Sequence, residues 1–69
     1  MQNTAIVVCE YTEEQGAGWA VEQYGPQTVE INGAHYNERT TLSRWTNRDR
    51  AVTEGRTVAE QLGATLAIY

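Results

Sequence analysis

Ser43-Arg-Trp-Thr-Asn-Arg-Asp-Arg-Ala-Val-Thr-Glu-Gly-Arg-Thr-Val-Ala-Glu-Gln-Leu-Gly-Ala-Thr-Leu-Ala-Ile-Tyr69 is the stretch that decides the fold. At the helical period, Ala51, Gly55, Val58, Ala59 and Leu62 form an apolar stripe about 100° wide, with Asp49, Thr53, Glu54, Thr57, Glu60 and Gln61 outside it. The pattern predicts an amphipathic helix lying on an apolar surface. Thr46 or Asn47 can serve as N-cap, and Asp49, three residues after Thr46, gives a short-armed capping box. Gly63 stands where a left-handed C-cap belongs. Arg50 with Glu54 and Arg56 with Glu60 are i,i+4 pairs worth a few tenths of a kcal/mol each. Gly55 costs about 1 kcal/mol in helix propensity relative to alanine, yet it lies on the buried stripe. Close approach of the helix to a bulky sheet residue, Trp19, is the expected compensation.

Beyond Gly63, Ala64 to Tyr69 reads as a terminal strand with Leu66 and Ile68 turned inward. Upstream, Thr4 to Tyr11 is β-branched and almost continuously apolar, as a central strand would be, with Ile6 and Val8 competing against Val7 and Cys9 for the buried face. Thr12 to Ala17 reads as a loop. Gly18 to Tyr24 is a second strand, placing Trp19 and Val21 on one face and Ala20, Glu22 and Tyr24 on the other. Gly25-Pro26 reads as a turn, and alternation resumes over Gln27 to Ile31. Asn32-Gly33 is a strong hairpin signal, because both residues tolerate the positive φ of a type I′ turn. The returning strand, Ala34 to about Leu42, is interrupted by Asn37, Glu38 and Arg39, so a bulged or irregular arm is as consistent as a clean strand. The expectation is one α+β domain over residues 1–69: an antiparallel sheet of about four to five strands, made of two hairpins plus a C-terminal strand, with one α-helix packed on one face.

A chain of 69 residues with one cysteine and no zinc spacing has none of the usual staples of small domains. A packed core or self-association must substitute. No run approaches the roughly 18 apolar residues of a membrane span, and no basic segment leads into an apolar one at the N-terminus. A soluble cytoplasmic protein without membrane contact is expected. The charge is uneven: residues 1–38 carry six Glu and no basic residue, while all five basic residues are arginines between Arg39 and Arg56. That split reads either as a charged helix paired with an acidic sheet edge or as an arginine face beside an acidic one.

Several short motifs support a family resemblance. Ile6, Val7 and Val8 lead; Gly18, Trp19, Ala20 and Val21 follow; then come Ser43, Thr46, Ala51 and Ala59, and at the end Gly63, Ala64, Leu66 and Ile68. In these the chain resembles the family of very short bacterial and phage proteins catalogued as domain of unknown function 2188. The match covers both ends of the chain, while Gln27 to Thr41 looks like an inserted hairpin and Glu22 and Gln23 stand where that family has basic residues. The resemblance implies a sheet-plus-helix fold and brings no activity with it.

Chemistry-bearing residues are sparse. Cys9, the single thiol, lies in the most apolar strand, where cysteine behaves as a small hydrophobe. His35, the single imidazole, has no serine, cysteine or orienting carboxylate next to it in sequence. Glu10, Glu13 and Glu14 lack the alternating aspartates of a calcium loop. The sequence therefore points to no catalysis, no cofactor and no metal. Binding remains, with Arg44, Trp45, Arg48, Tyr36 and Tyr69 as candidate partner-binding residues, since tryptophan, tyrosine and arginine dominate interface energetics. Trp45 reads alternatively as a staple packing onto the helix. The reading is a non-catalytic interaction or accessory module that self-associates or binds a protein partner. The alternatives are an acidic phage-type inhibitor of a basic nucleic-acid-handling protein, or a weak nucleic-acid binder using Arg39, Arg44, Arg48, Arg50 and Arg56. The last is opposed by a pI near 4.7.

Overall fold

The computed structural model describes residues 4–13 and 16–69. Four strands and one helix follow in the order β1 (Ala5–Glu13), β2 (Gly16–Ile31), β3 (Ala34–Trp45), α1 (Arg48–Leu62) and β4 (Thr65–Ile68). The sheet runs β3-β2-β1-β4 and is mixed, because β4 pairs with β1 in parallel while the other pairings are antiparallel. This corrects the expected antiparallel sheet. The reason is directional: a helix that crosses the face of a sheet returns the chain to the end from which β3 set out, so β4 must run with β3 and β1, and against β2.

Two further expectations change. The Thr12 to Ala17 loop is instead the end of a ladder, with Thr12 opposite Ala17 and Glu13 opposite Gly16. Glu14 and Gln15 lie outside the described residues. The turn expected at Gly25-Pro26 is a cis peptide bond inside one long strand, so the two hairpins share β2 and form a three-stranded meander. Irregular register between Tyr24 and Thr28 and between Val21 and Glu22 marks bulges in the β2–β3 ladder. They bend it. At about 3.3 Å per residue a straight strand of this length would span about 50 Å, more than the 36 Å longest dimension of the molecule. Asn32 (φ 51°) and Gly33 (φ 84°) turn the ribbon as the type I′ signal requires.

The core forms between one sheet face and α1. Ile6, Val8 and Val21 are fully buried, joined by Ala51 and Ala59 of the helix, with Trp19, Trp45, Val58, Leu62, Leu66 and Ile68 packed around them. The register left open for β1 thus falls to Ile6 and Val8. Asn47 caps α1, its side-chain oxygen accepting from the Arg50 N–H at 3.1 Å, and Gly63 closes the helix in the left-handed region at φ 64°. The Thr46–Asp49 capping box is not formed, since Asn47 holds the cap. The close approach at Gly55 is real, but the neighbour is Val8 rather than Trp19: a Cβ there would lie 2.5 Å from Val8 Cγ2. Neither Arg50–Glu54 nor Arg56–Glu60 closes to an ion pair; the pair found among the described residues joins Arg39 to Glu22.

Candidate functional site

Three surfaces come out of this arrangement. The first is the sheet face opposite α1. Cross-strand register places Val7, Cys9 and Tyr11 of β1 beside Glu22, Ala20 and Gly18 of β2, with Arg44 and Thr41 of β3 alongside. The Tyr11 ring lies over Gly18, where a Cβ would touch it, and the Arg44 guanidinium sits 5.1 Å from the ring centroid. Glu22 is only 9% exposed. Its carboxylate accepts from the Thr41 hydroxyl at 3.1 Å and faces Arg39 Nε at 3.7 Å. A hydrogen bond with Tyr24 and then the charge of Glu22 hold the Arg39 guanidinium still more firmly protonated than usual. Burial, and after it the Glu22 carboxylate, push the Cys9 thiol up, against an opposing effect of Arg39. Burial and Glu22 both disfavour the thiolate form of Cys9.

The second surface lies at the start of the helix. Trp45 is half-buried against the core, its indole N–H donating to Ser43 Oγ at 2.8 Å. With Asp49, Arg50, Thr53 and Glu54 it lines an open cleft of about 280 Å³. Packing of Trp45 beside the helix entry is what a staple does.

The third is the outer part of the β2–β3 ribbon. Every residue from Pro26 to Leu42 is exposed. Val29 pairs with Tyr36 and Ile31 with Ala34, while the alternate rows pair Thr28 with Asn37 and Glu30 with His35. Directly paired residues share a face, so the ribbon has one apolar and one polar side. On the apolar side Val29, Ile31 and Tyr36 are 38%, 55% and 54% exposed. Nothing among the described residues of the chain covers them.

The five residues singled out in the sequence are thus dispersed. Arg44 lies on the open sheet face, Trp45 on the opposite face, Arg48 at the exposed start of α1, Tyr36 on the ribbon, and Tyr69 at the exposed chain end, its N–H donating to the Val8 carbonyl at 2.9 Å. The structure brings no two of them into one site. Sequence reading missed Val29, Ile31 and Ala34 as companions of Tyr36. The alternation that unites them is legible on either side of Asn32-Gly33, but alternation indicates strands and does not show whether a face is covered. It also missed that Glu30 stands directly across from His35. No helix among the described residues is long and apolar enough to cross a membrane, and no group of three or more His, Cys, Asp and Glu side chains among them is arranged to hold a metal ion. No family model, curated protein or solved structure matches the chain.

Proposed function

We propose that this domain is a non-catalytic interaction module that works by protein–protein contact and associates with itself. One observation carries the reading: the outer β2–β3 ribbon presents Val29, Ile31 and Tyr36 on one uncovered face. A two-stranded ribbon is marginally stable in water unless its apolar face is packed on something. Exposed apolar residues gathered on one side of a projecting element mark an interaction surface more often than scattered ones do. The chemistry of the two reactive side chains agrees with a binding role, since burial disfavours the Cys9 thiolate and His35 lies out on the ribbon, nine residues along β3 from the Arg44 that stands beside Ala20 and Cys9. A lone, half-buried thiol also fits a cytoplasmic working place better than a disulfide-forming one.

Light scattering across a hundredfold dilution from the millimolar range tests the self-association. The weight-average mass is expected to rise above the 7.7 kDa of one chain at the concentrated end and to return toward it on dilution. A mass of one chain throughout would sink the reading.

A further inference from the structure

The uncovered face has an internal shape. Its two rows are Val29 with Tyr36 and, nearer the Asn32-Gly33 turn, Ile31 with Ala34. On β3 a large ring therefore stands two residues from a methyl group; on β2 the two aliphatic side chains are similar in size. A two-fold axis lying in the plane of the face, across the strands and between the rows, keeps each strand above its own counterpart and exchanges the rows. Tyr36 of one copy then lies over Ala34 of the other, and Val29 over Ile31. Large meets small on β3, and medium meets medium on β2.

No other occupant is so directly specified by the ribbon. On β3 the same side continues to Glu38, two residues beyond Tyr36, and exchange of the rows sets it over Asn32 of the other copy, so despite the net charge of −4 on each copy no two carboxylates of this face meet in the contact. A two-fold contact also uses the same patch on both partners, so it requires nothing beyond a second chain. From this we infer that the partner of the ribbon is a second copy of this chain, stacked face to face through Val29, Ile31, Ala34 and Tyr36, with Tyr36 of each copy seated over Ala34 of the other.

Area sets the strength. Aromatic side chains offer about 150–250 Å² when fully bare and aliphatic ones less, so these half-exposed residues leave on the order of 250 Å² of apolar surface per copy. A standard stable interface uses about 800 Å² per partner. The dimer is accordingly weak and concentration-dependent.

The inference rests on the self-association proposed above, and the experiment separates the two. Sedimentation equilibrium would be run on the whole chain and on three variants, with circular dichroism to verify that helix and melting are retained, which the position of the ribbon outside the core favours. Ala34→Trp removes the space for Tyr36 and should weaken the dimer at least tenfold. Adding Tyr36→Ala to Ala34→Trp reverses large and small on β3 and should return the affinity to within about threefold of the original. His35→Gln, on the polar side, should leave it unchanged. If the original chain is monomeric at millimolar concentration, self-association and ribbon contact both fall. If it dimerises but Ala34→Trp leaves the affinity unchanged, or the double variant is no better than the single one, the ribbon contact alone is overturned and the copies meet elsewhere.

Discussion

Gly55 shows how much one atom decides. The fully buried Val8 occupies the space a side chain would take, with Leu66 Cδ1 at 3.6 Å and Ile6 Cγ2 at 3.9 Å from the same point. Valine is stiff at χ1 and cannot swing away. Gly55→Ala gains up to about 1 kcal/mol of helix propensity but forces an overpacked core costing about 1–3 kcal/mol, so a net loss of stability is expected. Urea midpoints with unchanged slope would verify it, and a rise in midpoint would mean that the helix does not press on Val8. Cys9 provides a pH test. Its folded pKa is raised, chiefly by burial, above the ordinary 9.0. The neutral thiol is thus favoured by folding, and its contribution is complete below the unfolded value and lost as pH rises through the folded one. The melting temperature should fall more steeply above about pH 9 than that of Cys9→Ser, whose hydroxyl does not titrate in this range. Parallel profiles for the two proteins would remove the thiol from the account.

Among the elements, α1 was the most legible and β2 the least. Period, cap and terminator coincide within residues 47–63, so the helix bounds could be read nearly to the residue. Only the choice between Thr46 and Asn47 was open, and the structure gives it to Asn47. Asn47→Ala should therefore cost about 1 kcal/mol and Thr46→Ala much less; equal losses in thermal melts would contradict the cap. β2 was divided at Gly25-Pro26 because that dipeptide usually turns the chain. Here the strand passes through it in a bend, the ladder to β3 resuming at Thr28 opposite Asn37. Local propensity does not reveal that a neighbouring strand will carry the ladder across such a break. The same holds at Thr12 and Glu13, whose backbone pairs with Ala17 and Gly16 although the residue types there read as a loop. The parallel direction of β4 was within reach of the sequence, since a helix connecting two strands of one sheet reverses the chain once. The preference of adjacent strands for antiparallel hairpins obscured it. The candidate site was less legible still: Tyr36 was recognised by residue type, whereas its three apolar companions depend on a register that only the paired ribbon defines.

On the scale of the whole molecule, the two halves of the chain do not form two opposed charged surfaces. Arg39 and Arg44 lie on the open sheet face, Arg39 paired with Glu22, whereas Arg48, Arg50 and Arg56 belong to the helix packed on the other face. The five arginines that looked continuous in sequence are divided by the sheet. No single groove can use them all, and a pI near 4.7 removes the long-range attraction on which polyanion binding depends. The isolated protein is therefore expected to give no mobility shift with DNA or RNA even at low ionic strength. Micromolar binding that falls steeply with salt and is abolished by Arg44→Glu with Arg48→Glu would reverse this, and would require those two residues to meet one polyanion from opposite sides of the sheet. An acidic decoy makes a different demand: no binding to nucleic acid, but competition with it for a basic protein. Glu22 is not available for that purpose, being nearly buried and engaged with Arg39 and Thr41. Its replacement by Gln would disturb the sheet face rather than a charged surface. Glu10, Glu30 and Glu38 are exposed, so converting these three to Gln should remove any such competition while the melting temperature is retained. Competition that survives their removal but is lost with Glu22→Gln would place recognition on the Tyr11, Arg44 and Glu22 face instead.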